Sequence, residues 1–414
     1  MKDNRKIKKI AVGLSGGVDS AVTAALLKEQ GYEVIGVHML KVKESISGCT
    51  SEEDRNDALR VAKKLEIPFR VVDFTKEYRE QVIKRFLDEY QNGRTPNPDI
   101  WCNEVMKFGL FLEYALNELK VDAIATGHYA KIHKNIVTGD FTIHASNDSS
   151  HDQSNLLAGL PNAYLEKIKF PLADLRKDEV RRVAKRFHIP FLERRDSSLY
   201  CFTDLPGKID FVEKKVGPKL REDGTLNKQG QDVSIGEHTG IHHFYIGQNN
   251  VKSTINSDLI EKNLFVVDID AHDKRVVLGP EKELFKKGCG ISELNFISKM
   301  DRSKPLNLYA QLGIGGAKIP VTVFLKNNSS AVLEFEQESK ELLVGAAVVF
   351  YDSQKVKAKV VAKGEISYVG DLTEFGRAQH LEAEKVMNET AKMSDEQREV
   401  YLERRRKKQG NFIF

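Results

Sequence analysis

Two regimes of hydrophobic patterning divide the chain. In the first half, short continuous apolar runs alternate with longer segments whose apolar positions recur every three or four residues. Ile10-Ala11-Val12 predicts a buried strand, and Ala21, Val22, Ala24, Ala25, Leu26 and Leu27 predict a helix that Gly31 ends. Tyr32–Val37 predicts a second strand, and Ala58, Val61, Ala62 and Leu65 a second helix. Phe69–Val72 reads as a strand, followed by a helix with Tyr78, Val82, Ile83, Phe86, Leu87 and Tyr90 on one face. Phe108, Phe111, Leu112, Ala115 and Leu116 mark another helix before the strand Ala123-Ile124-Ala125. Alternation of this kind predicts an α/β fold with a doubly wound parallel sheet.

Beyond residue 260 the pattern changes to short β-type runs. These are Leu264–Ile269, Arg275–Leu278, Leu306–Leu312, Ile319–Leu325, Ala331–Phe335, Ala346–Tyr351 and Val356–Ala362, and they predict a small β-barrel. Between the regimes lies a glycine-rich stretch from Pro206 to about Asp258. The expected domains are therefore 1–205, a small central domain at 206–262, a barrel at 263–370 and a charged helical extension at 371–414. In that extension Ser394-Asp395-Glu396-Gln397 is a capping box, and the helix it opens ends in Arg404-Arg405-Arg406-Lys407-Lys408. A solvated helix is its ordinary reading; a basic arm toward nucleic acid is the second.

Composition narrows the class only a little. A chain of 414 residues, 41% hydrophobic and 30% charged, fits a globular protein of two or three domains. No apolar run reaches the ~20 residues of a membrane span, and no signal-peptide cleavage site follows the N-terminal lysines, so a cytoplasmic location is expected. A net charge of +4 neither demands nor excludes nucleic acid. The cysteines Cys49, Cys102, Cys201 and Cys289 form no CxxC pair and no zinc spacing. Cys289 reads best as a small buried hydrophobe.

The first strand runs into Gly13-Leu14-Ser15-Gly16-Gly17-Val18-Asp19-Ser20 at a helix start. Small residues there offer backbone N–H groups and the positive end of a helix dipole to an anion. Gly16 and Gly17 permit close approach, Ser15 and Ser20 add hydroxyls, and Asp19 is a candidate Mg²⁺ ligand beside phosphates. An ordinary strand-to-helix turn is the bland alternative. The loop lacks the GK[ST] ending of the common nucleotide motif. It resembles instead the SGGxDS pyrophosphate loop of enzymes that cleave ATP between the α and β phosphates and adenylate a substrate.

Further motifs follow in order. Asn92-Gly93-Arg94-Thr95-Pro96-Asn97-Pro98-Asp99-Ile100-Trp101-Cys102-Asn103 is a stiff loop leading to a helix. A cysteine near a helix N-terminus is expected to form thiolate readily. Thr126-Gly127-His128-Tyr129-Ala130 follows a strand, where ligands of such sheets bind. His151-Asp152-Gln153-Ser154 and Arg195-Asp196-Ser197-Ser198-Leu199-Tyr200-Cys201-Phe202 come later.

Together these motifs resemble the bacterial-type tRNA-specific 2-thiouridylases, over roughly residues 8–370. The resemblance implies ATP-dependent replacement of the 2-oxygen of a tRNA wobble uridine by sulfur. It places ATP on residues 13–20, with Met39 at the adenine and Gly127 beneath the adenosine, although a core methionine is an equal reading of Met39. It makes Cys201 the persulfide carrier and Cys102 the second thiol, with a disulfide between them as one outcome. Asp99 becomes the acid/base. Asn97, Pro98, Asp99, His128, His151, Asp152 and Gln153 become tRNA contacts. Implied cofactors are ATP and Mg²⁺; implied partners are tRNA and a persulfide-donating relay protein or cysteine desulfurase.

Departures from the family pattern bear on tRNA grip more than on chemistry. His151 replaces a lysine, Leu199 a glycine and Asn249 an arginine; a glycine-rich segment after Asn249 is missing. Leu312-Gly313-Ile314-Gly315 replaces a basic strand, and Gly345-Ala346 a Gly-Gln step. The basic helix face Arg181, Arg182, Lys185 and Arg186 is a solvated surface or a tRNA backbone contact. Two other readings stay open at this point: a catalytically weakened tRNA-binding relative, and another adenylating enzyme of the same superfamily.

Overall fold

The computed structural model describes residues 8–41, 51–190, 224–228, 234–249, 251, 263–313 and 316–370. Cys49, Cys201 with its motif, Ile314-Gly315 and the C-terminal extension lie outside the described residues. The chain divides into two compact units, one holding residues 1–88, 97–216 and 352–361, the other the remainder.

The first unit is built on a parallel five-stranded sheet. Its strands are β1 (Lys9–Gly13), β2 (Glu33–Leu40), β3 (Phe69–Asp73), β4 (Ala123–Ala125) and β7 (Ile168–Lys169), in the order β3-β2-β1-β4-β7. The intervening β5 (Ala130–Lys134) and β6 (Phe141–Ala145) form a separate antiparallel hairpin. β1 is central, pairing with β2 from Lys9↔Glu33 to Gly13↔Val37 and with β4 from Ile10↔Ala123 to Val12↔Ala125. A strand covered on both faces needs an unbroken apolar run, which Ile10-Ala11-Val12 supplies. α1 (Val18–Glu29) buries Ala21, Val22, Ala24, Ala25 and Leu27 in the core shared with α2 (Ser51–Lys64) and the helix Lys177–Arg186. Strand order reverses at β1, so the crevice for ligands opens at the C-terminal ends of β1 and β4.

The helix expected over Tyr78–Tyr90 runs as Thr75–Tyr78, a π-helical turn Arg79–Ile83 and Lys84–Gln91. A second composite helix runs as Pro98–Trp101, a π-helical segment Cys102–Leu110 and Phe111–Asn117. Wide turns of this kind are rare and often sit at functional sites.

In the second unit, β8 (Gly224–Lys228), β9 (Ser234–His238), β10 (Phe265–Asp270) and β11 (Arg275–Gly279) form a four-stranded sheet. It packs over Leu226, Phe244, Val251, Val266, Val276 and Leu278. β12 (Lys286–Phe296), β13 (Leu306–Leu312), β14 (Lys318–Leu325), β15 (Ala331–Ser339), β16 (Ala347–Tyr351) and β17 (Val360–Val369) close a barrel in the order β12-β15-β14-β13-β16-β17. The barrel expectation is corrected in two ways. The runs at 264–269 and 275–278 belong to the central sheet, because β11 pairs in parallel with β8. Their place is taken by β12, where Gly288 and Gly290 broke the alternation read from sequence. Among the described residues no helix is long and apolar enough to cross a membrane.

Gly345 has φ +87°, and a Cβ there would stand 2.7 Å from Arg94 Cβ and 2.9 Å from the Thr95 nitrogen. At Gly31, with φ +85°, a Cβ would meet nothing within 4 Å. Gly345→Ala is therefore expected to destabilise by about 1–3 kcal/mol, clearly more than Gly31→Ala, in thermal or urea unfolding.

Candidate functional site

The loop between β1 and α1 is braced by its own serines. Ser20 Oγ donates to the Gly17 carbonyl at 3.0 Å and accepts from the Ser15 N–H at 3.1 Å. With its one proton so used, Ser20 Oγ accepts from Ser15 Oγ at 3.1 Å, and Ser15 Oγ accepts from the Gly17 N–H at 3.3 Å. Gly16 has φ +89°, and a Cβ there would lie 2.6 Å from the Asp54 carbonyl oxygen. The N-cap is Gly17, which supplies no side-chain acceptor to the first N–H groups of α1. An uncapped helix N-terminus directly after a glycine loop is a ready anion site. Gly127 closes the loop from behind, since a Cβ on it would stand 2.8 Å from Asp19 C and the Ser20 nitrogen. Met39 Cε lies 3.5 Å from where a Cβ on Gly13 would be, which places Met39 beside the end of β1.

Sequence reading missed the partners of Asp19. Lys177 Nζ donates to both carboxylate oxygens, at 2.9 and 2.8 Å, and Tyr129 Oη donates to Oδ1 at 2.8 Å. The ion pair is partly sheltered, with side-chain exposures of 10% for Lys177 and 25% for Asp19. One signal was available. Lys177 opens a helix, the end where the dipole disfavours a cation, so its placement there needs another cause. These surroundings do not fit a Mg²⁺ ion on Asp19. Both its oxygens face hydrogen-bond donors, one of them a cation, and no group of three His, Cys, Asp or Glu that could hold a metal exists among the described residues. His38 was missed as well; its Nδ1–H donates to the Leu14 carbonyl at 2.8 Å from a buried position.

Asp99 and Cys102 lie on the helix that starts at Pro98, with Asn97 as N-cap. Both are buried, Cys102 to 2% exposure. The Cys102 N–H already bonds Pro98 and Asp99 carbonyls inside the helix. The cysteine sits one turn into the helix rather than at its first residue. The Asn103 Nδ2 donates to the Asp99 carbonyl at 2.8 Å. The amide oxygens of Asn97, Asn103 and Asn155, all buried, meet no donor. Asn155 lies on the short helix Ser154–Leu157, against which the helix from Pro98 packs. Buried polar atoms without partners are uncommon, and several together suit a polar ligand.

Farther along that helix, Phe108 packs with His128 and Phe170, at ring separations of 5.5 and 5.8 Å. Burial, then Lys107 and Lys41, push the pKa of His128 well below the usual imidazole value. The ring is thus neutral. Lys107 Nζ lies 3.4 Å from Nε2, and an ammonium can only donate, so Nε2 accepts and Nδ1–H donates to Thr126 Oγ1 at 2.8 Å. His128 is no proton donor to substrate at neutral pH.

The 151–154 motif faces inward more than expected of a tRNA contact. His151 Nδ1 bonds Asp148 Oδ2 at 3.1 Å, and its ring lies 5.7 Å from that of Tyr129. Asp152 accepts from the Ser146 N–H and the Ser154 hydroxyl, at 2.9 and 2.8 Å. Gln153 Oε1 accepts from the Tyr129 N–H at 3.1 Å, and its own N–H donates to the Tyr129 carbonyl at 2.9 Å. In the barrel, Cys289 is buried and burial pushes its thiol up, as expected of an inert core residue.

The family profile described as the tRNA methyl transferase HUP domain matches residues 8–204. The chain is 36% identical over 354 residues to the tRNA-specific 2-thiouridylase MnmA of Clostridioides difficile (strain 630), covering 84% of this chain and 96% of that one. It is 34% identical over 356 residues to the protein of the same name from Shouchella clausii (strain KSM-K16), covering 85% and 95%. For tRNA-specific 2-thiouridylase MnmA 1 of Geobacillus kaustophilus (strain HTA426), identity is 35% over 353 residues, covering 84% and 93%.

Burial lowers the pKa of both His38 and His128 below the ordinary 6.5. The unfolded chain then binds more protons below pH 6.5, so stability is full above that value and falls as pH drops toward the folded pKa values. Melting midpoints are expected to hold between pH 7 and 8 and to fall between pH 6.5 and 5. Each histidine contributes a slope of up to about 1.4 kcal/mol per pH unit. His128→Gln should flatten that acid limb, as read by melting temperature against pH.

Proposed function

The chain belongs to the tRNA-specific 2-thiouridylase family, and from that premise we infer that it replaces the 2-oxygen of the tRNA wobble uridine with sulfur at the expense of ATP. The observation that carries this reading is the meeting of Asp19, Lys177 and Tyr129 beside the uncapped start of α1. The helix bearing Asp99 and Cys102 belongs to the same compact unit.

ATP would lay its β and γ phosphates on the loop of residues 13–20, with Met39 near the adenine and Gly127 under the adenosine. Lys177, rather than a magnesium ion on Asp19, is the resident cation facing those phosphates. The uridine 2-oxygen attacks the α phosphorus, a P–O bond forms, and pyrophosphate leaves. Charge building on the pyrophosphate is met by N–H donors and an ammonium already in place, which lowers the barrier without reorganisation. Asp99 is the base positioned for the N3 proton of the uracil, whose loss makes the 2-oxygen more nucleophilic. The target base must leave its stack to reach Asp99. Pro98 and the aromatic wall of Phe108 and His128 would bound the same pocket, and the segment His151-Asp152-Gln153 its far side.

Sulfur would arrive on Cys201 as a persulfide, loaded by a relay protein or a cysteine desulfurase. Cys102 thiolate attacks the Cys201 sulfur, the two cysteines become a disulfide, and hydrosulfide leaves. Hydrosulfide adds to C2 of the adenylated base, and AMP departs with the former 2-oxygen. A thiol reductant then restores both cysteines.

Mass spectrometry of wobble-uridine thiolation, paired with ATP–pyrophosphate exchange in the presence of tRNA, tests this scheme. Cys102→Ala and Cys201→Ala should each reduce thiolation at least a hundredfold, while Cys201→Ala keeps exchange within a few-fold of the parent. Thiolation persisting in both variants would refute the two-cysteine relay. Lys177→Met should cut exchange by roughly 10²-fold or more, in line with loss of a preorganised charge partner.

A further inference from the structure

The segment from Ser146 to Ser154 grips both partners of Asp19. Asp148, only 7% exposed, accepts the Lys177 N–H on Oδ2 at 2.9 Å. It also accepts the Ser150 N–H at 3.1 Å, the Ser150 hydroxyl at 2.6 Å and His151 Nδ1 at 3.1 Å. Burial alone would raise this carboxyl; the hydrogen bonds from Ser150, the Lys177 N–H and His151 outweigh it and hold its pKa at about 2. Lys177 is the first residue of its helix, so its N–H is one of the donors the helix itself cannot satisfy. Asp148 satisfies that donor and sets a negative charge at the positive end of the dipole. Five residues on, Gln153 holds the main chain of Tyr129 by two hydrogen bonds. The side chains of the two gripped residues, Lys177 and Tyr129, then converge on the Asp19 carboxylate.

We propose that Asp148 is a positioning residue for the adenylation step: by fixing the Lys177 main chain it aims the Lys177 ammonium at the phosphates of bound ATP. It touches no reacting atom; its effect passes through Lys177. The proposal rests on the reading that Lys177 faces ATP.

The test is a double-mutant cycle on ATP affinity, which stays measurable when turnover is lost. Dissociation constants for ATP are measured by calorimetry on the full chain for the parent, Asp148→Ala, Lys177→Met and the double variant, with melting temperature recorded beside each. Lys177→Met is expected to weaken ATP binding about tenfold and Asp148→Ala about threefold. The double variant should bind no worse than Lys177→Met alone, because nothing remains for Asp148 to aim. Asp148→Asn, which keeps an acceptor oxygen, should recover most of the lost affinity; Asp148→Leu, of similar size and with no acceptor, takes the place of alanine in the cycle if alanine fails to fold. A threefold loss that persists in the Lys177→Met background would overturn the proposal, as would a lowered melting temperature with unchanged affinity. Unchanged affinity in Lys177→Met would instead remove the premise that Lys177 faces ATP, a result readable apart from the cycle.

Discussion

A carboxylate and an ammonium drawn from opposite ends of one domain meet at Asp19 and Lys177, and the start of α1, the helix from Lys177 and the Tyr129 side chain come together at that pair. Asp19 lies in the first turn of α1, where its charge suits the helix dipole. Lys177 opens its own helix against that preference, and its surroundings compensate: Asp148 on its N–H, Asp19 on its Nζ, the Tyr129 ring 5.6 Å away. Removing either charge would strand the other in a sheltered place, a far larger penalty than losing a surface ion pair. This explains why strands and loops so distant in sequence are held in one register near the ends of β1 and β4.

The glycine loop after β1 was legible because its information is local. Glycines, hydroxyls and one acid must follow a strand at fixed spacing, and Ser15, Gly16, Gly17, Asp19 and Ser20 do so. The parallel sheet was legible for a similar reason, since buried strands such as Ala123–Ala125 must be wholly apolar. The pairing of Lys177 with Asp19 spans 158 positions and leaves no periodic trace, so nothing in the sequence joined the two. The same limit hid His38 beneath Leu14 and the reciprocal bonds of Gln153 with Tyr129. Alternation announces a strand but not its sheet, which is why residues 265–279 looked like barrel. The turn Pro98–Trp101 reads as loop from its prolines, and it moves Cys102 from a helix end to a helix interior.

The family membership and the altered residues fit together on this geometry. Where a family lysine is expected, His151 sits against Asp148 and the Tyr129 ring, so the exchange falls on the segment that also bonds the Lys177 N–H. At the Gly345-Ala346 step the glycine is retained, and its left-handed backbone shows why: Arg94 and Thr95 leave no room for a side chain. Asn97 and Asp99, only a few residues farther on, belong to the nucleotide-binding unit.

The hydrogen-bond row from Lys107 through His128 to Thr126 has a direction. The ammonium gives to Nε2, and Nδ1–H gives to the threonine oxygen. Having received, that oxygen must dispose of its own hydrogen elsewhere. At the carboxyl end of β4, then, the Thr126 hydroxyl is left as a donor, polarised through the imidazole by the Lys107 ammonium.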